Sequence, residues 1–226
     1  MKKSTEKLSN PVWNALNETH KKFVIDYDGV RFYKPEICPF GAFMNLNKTK
    51  EAINYYAKLT DSFFIVGNEP VHDSRVFLNK TVPCEQMIVN TLNEPNYTHT
   101  IEKLTTHHIE ELYELVWLVM PGYYKKRTFE MGDYYGIFSN NKLVAATGER
   151  LQLDNFIEIS AVVTHPNHTR KGLAKQLVAY TAKQIIEKGK IPILHVAENN
   201  LGAIELYKKL GFKSIRKMVW RHYLKR

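Results

Sequence analysis

Cysteine is scarce: Cys38 and Cys84 are the only two in 226 residues. They form neither a CxxC pair nor the set of spacings of a disulfide framework. A disulfide-stapled fold is therefore excluded, and two reduced thiols are expected. No apolar run approaches the ~18–20 residues that a bilayer crossing needs. The opening segment, MKKSTEKLSNPVWNALNETH, is basic but lacks the apolar stretch of a secretory signal. These absences predict a cytoplasmic protein with no membrane partner. Sequons such as Asn167-His168-Thr169 are then chance matches. Repeats and low-complexity tracts are missing as well. So are the nucleotide loop GxxxxGK[ST] and the dinucleotide fingerprint GxGxxG. His107 and His108 have no carboxylate or cysteine companion at ligand spacing, so no metal is assigned.

Hydrophobic residues make up 44% of the chain, enough for a real core. The length fits one large domain or two small ones. The net charge is +9 and looks uneven: residues 99–226 hold 20 Lys/Arg against 12 Asp/Glu, residues 1–98 hold 12 against 11. Such an excess attracts anionic ligands. No helix-turn-helix, zinc-finger or RNP-type signature accompanies it, which argues against nucleic acid.

The chemistry is written between residues 156 and 212, in FIEISAVVTHPNHTRKGLA and LHVAENNLGAIELYKKLGF. Ile157, Ile159, Ala161, Val162 and Val163 form the apolar, β-branched run of a largely buried strand. Pro166 cannot donate a ladder bond, so the strand should stop before it. From Ala174, apolar positions Ala174, Val178, Thr181 and Ile185 recur at helical spacing. The loop His168-Thr169-Arg170-Lys171-Gly172 thus sits at a helix N-terminus, where unpaired N–H groups and the helix dipole favour phosphate. Gly172 lets a ligand approach the backbone closely. Asn200 and Tyr207, seven residues apart, lie nearly two turns from each other and share a helix face with Ala203. From spacing alone, Asn200 is equally a helix cap and Tyr207 a member of an apolar stripe with Leu206 and Leu210.

Together these motifs resemble the acetyl-CoA site of the GNAT superfamily of N-acetyltransferases. Thr169-Arg170-Lys171-Gly172-Leu173-Ala174 matches the pattern Gln/Arg-x-x-Gly-x-Gly/Ala from Gly172 onward and departs from it at Thr169. Asn200, Ala203 and Tyr207 match Asn-x-x-Ala-x-x-x-Tyr. Pro121-Gly122-Tyr123, Gly148-Glu149-Arg150-Leu151 and Leu194-His195-Val196 are similar to a subgroup with PG-Y/F, GERL and Leu-His-Val segments. The resemblance implies an α/β fold with a mixed, mostly antiparallel central sheet flanked by helices. It covers residues 98–226, with 1–97 as an additional N-terminal α/β region on the acceptor side. It implies acetyl-CoA as cosubstrate, its acetyl carbonyl and pantetheine against the backbone of Val162, Val163 and Thr164. Arg170, Lys171, Gly172, Leu173, Ala174 and Lys175 would hold the pyrophosphate, Asn200 the CoA arm, and Tyr207 would protonate the leaving thiolate. The acceptor is a primary amine of a small molecule or peptide, attacking directly in a ternary complex. The alternative is a non-catalytic acyl-CoA-binding regulator of the same fold. A homodimer is compatible with either.

The amine needs a base. Glu158 lies on the motif strand where several GNATs carry a catalytic glutamate, and burial there would raise its pKa. Its alternation with Ile157 and Ile159 also fits a solvent-facing residue. His195 ranks second, since an unperturbed imidazole titrates near ~6.5; Glu149 or water alone come after it. Around these motifs the pattern predicts strands over 62–66, 87–89 and 97–104, and a helix over 105–119 capped at Thr105 or Thr106. A hairpin pairs 134–138 with 143–153, followed by the motif strand, a helix to Lys188, a strand over 191–196, a helix over 200–210 and strand in 212–223.

Overall fold

The computed structural model describes residues 5–226. In chain order its elements are α1 (Pro11–Asn17), β1 (Val24–Asp26), β2 (Val30–Tyr33), β3 (Phe40–Phe43), α2 (Thr49–Tyr56), β4 (Ser62–Val66) and β5 (Val76–Ile88). There follow β6 (Glu102–Lys103), α3 (Ile109–Val119), β7 (Tyr134–Ser139), β8 (Lys142–Gln152), β9 (Phe156–Thr164), α4 (Leu173–Glu187), β10 (Ile191–Ala197), α5 (Leu201–Lys209) and β11 (Lys213–Lys225). They sort into two compact units: residues 1–84 with 217–226, and residues 85–216.

The second unit is built on the order β10-β9-β8-β7-β6, antiparallel except for β9 and β10, which run parallel. The β7–β8 hairpin turns on Asn140 and Asn141, both left-handed (φ 50° and 59°) as a type I′ turn demands. Each face of the sheet takes a helix. Ile157 and Ile159 of β9 and Leu194 and Val196 of β10 pack with Val178, Ala179, Ala182 and Ile185 of α4 and with Ile204 and Tyr207 of α5. On the opposite face Leu112, Leu115 and Val116 of α3 meet Leu143, Ala146, Ala161 and Val163. The first unit orders its strands β1-β2-β3-β4 and then the end of β11, which pairs antiparallel with β4 from Trp220↔Val66 to Leu224↔Ser62. Its core stacks Phe32 on Tyr56 and Phe63 on Tyr223.

The mixed, mostly antiparallel sheet flanked by helices is the architecture the resemblance implies. One local reading needs correction. Residues 97–104 are not a full strand: only Glu102–Lys103 pair, because the N–H groups of Thr98 and His99 donate instead to Gln176 Oε1, at 2.7 and 3.2 Å. The first compact unit ends at Cys84 and takes up Lys217–Arg226, and the second runs between them. Met87 and Val89, both wholly buried, belong to the α4–α5 core, and the last ten residues complete the sheet of the first unit. The charge follows this division: 16 basic against 9 acidic residues in the first unit, 16 against 14 in the second. The basic excess therefore does not lie with the phosphate loop.

Candidate active site

The parallel ladder of β9 and β10 runs from Phe156↔Ile191 to Ile159↔Leu194 and ends there, although β9 continues to Thr164 and β10 to Ala197. Ala161 explains the parting. It is left-handed (φ 51°), and the β8–β9 register slips one residue beside it, between the pairs Gly148↔Ser160 and Ala146↔Val163. Such a bulge bends a strand away from its neighbour. Val162, Val163 and Thr164 thus follow the bulge, held by β8 on one side, with no β10 ladder on the other.

Beyond Pro166 the chain turns into α4. Gly172 is its N-cap, at φ 75° and with no side-chain cap, so the N–H groups of the first turn keep no intrahelical acceptor. A Cβ at Gly172 would meet only Gln176 Nε2, at 4.0 Å, so the space in front of the turn is open. Arg170 is left-handed too (φ 62°), a strained arrangement that favours a concave run of N–H groups. Arg170 and Lys171 are exposed, Leu173 is buried with Val144, Ala145 and Leu177, and Ala174 and Lys175 are half-buried. Thr169, where the pattern has Gln or Arg, turns its hydroxyl back to Pro166 O at 3.1 Å. This cradle fits a pyrophosphate through backbone and charge, without help from position 169.

On the strand side, Glu158 departs from both sequence readings. It is wholly buried rather than solvent-facing. Burial alone would raise its carboxyl, but Arg150 and His195 outweigh it and hold the pKa at about 2. Arg150 grips it with a fork, Nε–Oε2 2.8 Å and Nη2–Oε1 2.5 Å, while His195 Nδ1 lies 2.6 Å from Oε1. The expected raised pKa is thus corrected, because the sequence does not show which charges face a strand residue. Antiparallel pairing of β8 with β9, Glu149 against Ile159, sets Arg150 opposite Glu158. Parallel pairing puts Ile193 beside Glu158, so His195, two residues on, shares its face. The imidazole is 2% exposed, and its Nε2 lies 2.9 Å from Nε2 of the wholly buried Gln86 on β5. Glu149 points to the other face and is tied to Lys188, Gln152 and the N–H of Asp133.

Arg150 and Gln86 were missed by the sequence reading. Arg150 stands in the GERL segment, where the register of β8 against β9 could have placed it. Gln86 lies outside the stretch that carries the resemblance and gives no signal. On α5, Asn200 does cap: its Oδ1 accepts from Ala203 N at 3.2 Å. Tyr207 is 8% exposed, burial pushes its phenol up to about 12, and its hydroxyl makes no hydrogen bond among the described residues. It carries its proton at neutral pH and has it to give.

The family model for FR47-like protein matches residues 134–221. Among solved structures, a protein assigned to the GNAT acetyltransferases of Novosphingobium aromaticivorans is 27% identical with a TM-score of 0.86, over 98% of this chain and 99% of that one. A GCN5-related N-acetyltransferase from Kribbella flavida (15% identity, TM-score 0.63, 94% and 91% covered) shares the fold. So does a GCN5-related N-acetyltransferase-like protein from Streptococcus suis (13%, 0.64, 95% and 93%). No curated protein matches the chain at a significant level. A fold held in common over nearly the whole length, with the FR47-like match seated from β7 into β11, gives this chain the fold of the GNAT acetyltransferases.

Proposed function

We propose that the chain moves an acetyl group from acetyl-CoA to a primary amine of a small molecule or peptide, by direct attack in a ternary complex. The observation that carries this reading is the 2.6 Å contact of His195 with an ionised, buried Glu158, one residue past the last rung of the β9–β10 ladder. An amine with a pKa of about 10 is mostly protonated at neutral pH and must lose a proton before it attacks. Glu158 at about 2 is too weak a base for this. His195 takes the proton at Nε2, directly or through a water, once the Gln86 amide 2.9 Å away releases that lone pair, and Glu158 acts as the positioning residue that steadies the imidazolium at Nδ1. The thioester supplies the activated acyl carbon. Backbone N–H groups of Val162, Val163 and Thr164 polarise its carbonyl. Residues Arg170 to Lys175 hold the pyrophosphate, Asn200 offers its Nδ2 to the CoA arm, and Tyr207 returns a proton to the departing sulfur.

Mass spectrometry of acetyl-CoA incubations with amino acids, polyamines, aminosugars and peptide N-termini identifies the acceptor class, and rate–pH profiles on it identify the base. His195→Gln is expected to remove the acidic limb and lower kcat/KM by roughly 10²–10⁴-fold. Glu158→Gln is expected to lower turnover and keep the limb. A limb that survives in His195→Gln would take the base role from His195. Intact acetyl-CoA binding with no acetylated amine anywhere in the panel would sink the enzyme reading.

A further inference from the structure

Gln86 has no counterpart in the motifs that carry the acetyl-CoA reading, yet its side chain closes the buried chain Arg150–Glu158–His195–Gln86. The direction of that chain follows from its charged end. Glu158 is ionised and doubly gripped by Arg150, so it can only accept. The imidazole nitrogen facing it, Nδ1, must then carry a proton. In the neutral ring the lone pair is left on Nε2, and the group 2.9 Å away has to be the NH2 of the Gln86 amide. When Nε2 gains a proton the same NH2 becomes a second donor pointed at a donor. A half-turn about the last torsion of the glutamine, which is broad and roughly two-fold, brings the amide oxygen there instead.

We propose that Gln86 is a positioning residue for His195 whose amide turns over with the proton: NH2 toward Nε2 when the imidazole is neutral, oxygen toward it when charged. A primary amide serves both states from one place with no charge of its own, because it carries a donor and an acceptor on one planar group. The imidazole meets Glu158 from β9, with Arg150 of β8 behind it, and Gln86 from β5. The first two hold Nδ1, and Gln86 attends the nitrogen that changes state. The catalytic consequence rests on His195 being the base; the hydrogen-bond consequence does not.

Histidine-selective ¹⁵N NMR of the full chain, titrated without substrate, separates the two. In the wild type, His195 is expected as the neutral Nδ1–H tautomer, with a lone pair on Nε2, converting to the imidazolium as pH falls. Gln86→Glu places a carboxylate on Nε2 and should raise the midpoint by about one pH unit or more, the size of shift an adjacent opposite charge produces. Gln86→Met fills the same space but offers nothing to the charged form, so the midpoint should fall. If the glutamate variant does not fold, the methionine variant carries the test alone. A wild-type Nε2–H tautomer, or a midpoint unmoved in the folded variants, would overturn the proposal. Where amine acetylation is measured, its acidic limb should move with the NMR midpoint. Midpoints that shift while the limb stays would keep Gln86 as the partner of His195 and remove His195 as the base.

Discussion

Glu158 is a carboxylate whose neighbours reverse the effect of its burial. In an apolar strand it should resist ionisation. The guanidinium of Arg150 and the imidazole of His195 instead pull its pKa from 4.5 to about 2. A folded-state pKa below the unfolded one means that the unfolded chain takes up the proton first as pH falls. The group therefore contributes its full stability above about 4.5 and loses it as pH drops toward about 2. The contribution is on the order of 3 kcal/mol. Urea unfolding at pH 6 and pH 3 should show this loss in the wild type. In Glu158→Gln, stability at pH 6 should already be lower by about 3–5 kcal/mol, since Arg150 is left buried without its counter-ion. The drop between the two pH values should also be smaller. An equal drop in both proteins would show that Glu158 is not held ionised. The sequence shows Glu158 among isoleucines but cannot show which cation the adjacent strand will aim at it. That depends on the register of β8 against β9.

At the scale of elements, the strand–turn–helix from β9 to α4 was the most legible part of the chain, because each boundary has a local cause. Pro166 ends the strand, Gly172 at φ 75° caps the helix, and Leu173 and Leu177 anchor it to the sheet. The hairpin 134–152 was legible for the same reason, its turn being Asn140-Asn141. By contrast β5 is 13 residues long, with exposed side chains from Leu78 to Thr81 and no sustained alternation, so only its end looked like strand. The bulge at Ala161 left no mark either, since alanine does not advertise a left-handed conformation. The cradle gives a prediction that depends on the element as a whole. Gly172→Glu puts a side chain and a negative charge into the open space before the first turn, in a backbone conformation that costs any residue but glycine about 1 kcal/mol. Calorimetric titration should find CoA binding lost while the thermal midpoint falls only slightly. Wild-type affinity in the folded variant would remove the cradle from the cofactor site.

For the molecule as a whole, the chain order hides how the units are assembled. The second unit needs Glu85 to Val89, upstream of the polar stretch at 91–96 that looked like a boundary. The first unit needs residues 217–226 from the far end. A motif search sees neither requirement, because both are long-range pairings made by segments that carry no motif. A fragment of residues 98–226 would therefore lose Met87 and Val89, each wholly buried, at about 1.5–3 kcal/mol apiece. It would lose Gln86 from His195, and it would strip Trp220 and Tyr223, both buried, of β4. Domains retain only about 5–15 kcal/mol in total, so these losses together should be decisive. The fragment is expected to melt without a cooperative transition and to lack native near-ultraviolet circular dichroism. A sharp transition with a native spectrum would mean that the acetyltransferase fold closes without its upstream strand, and that β5 is an accessory to the core.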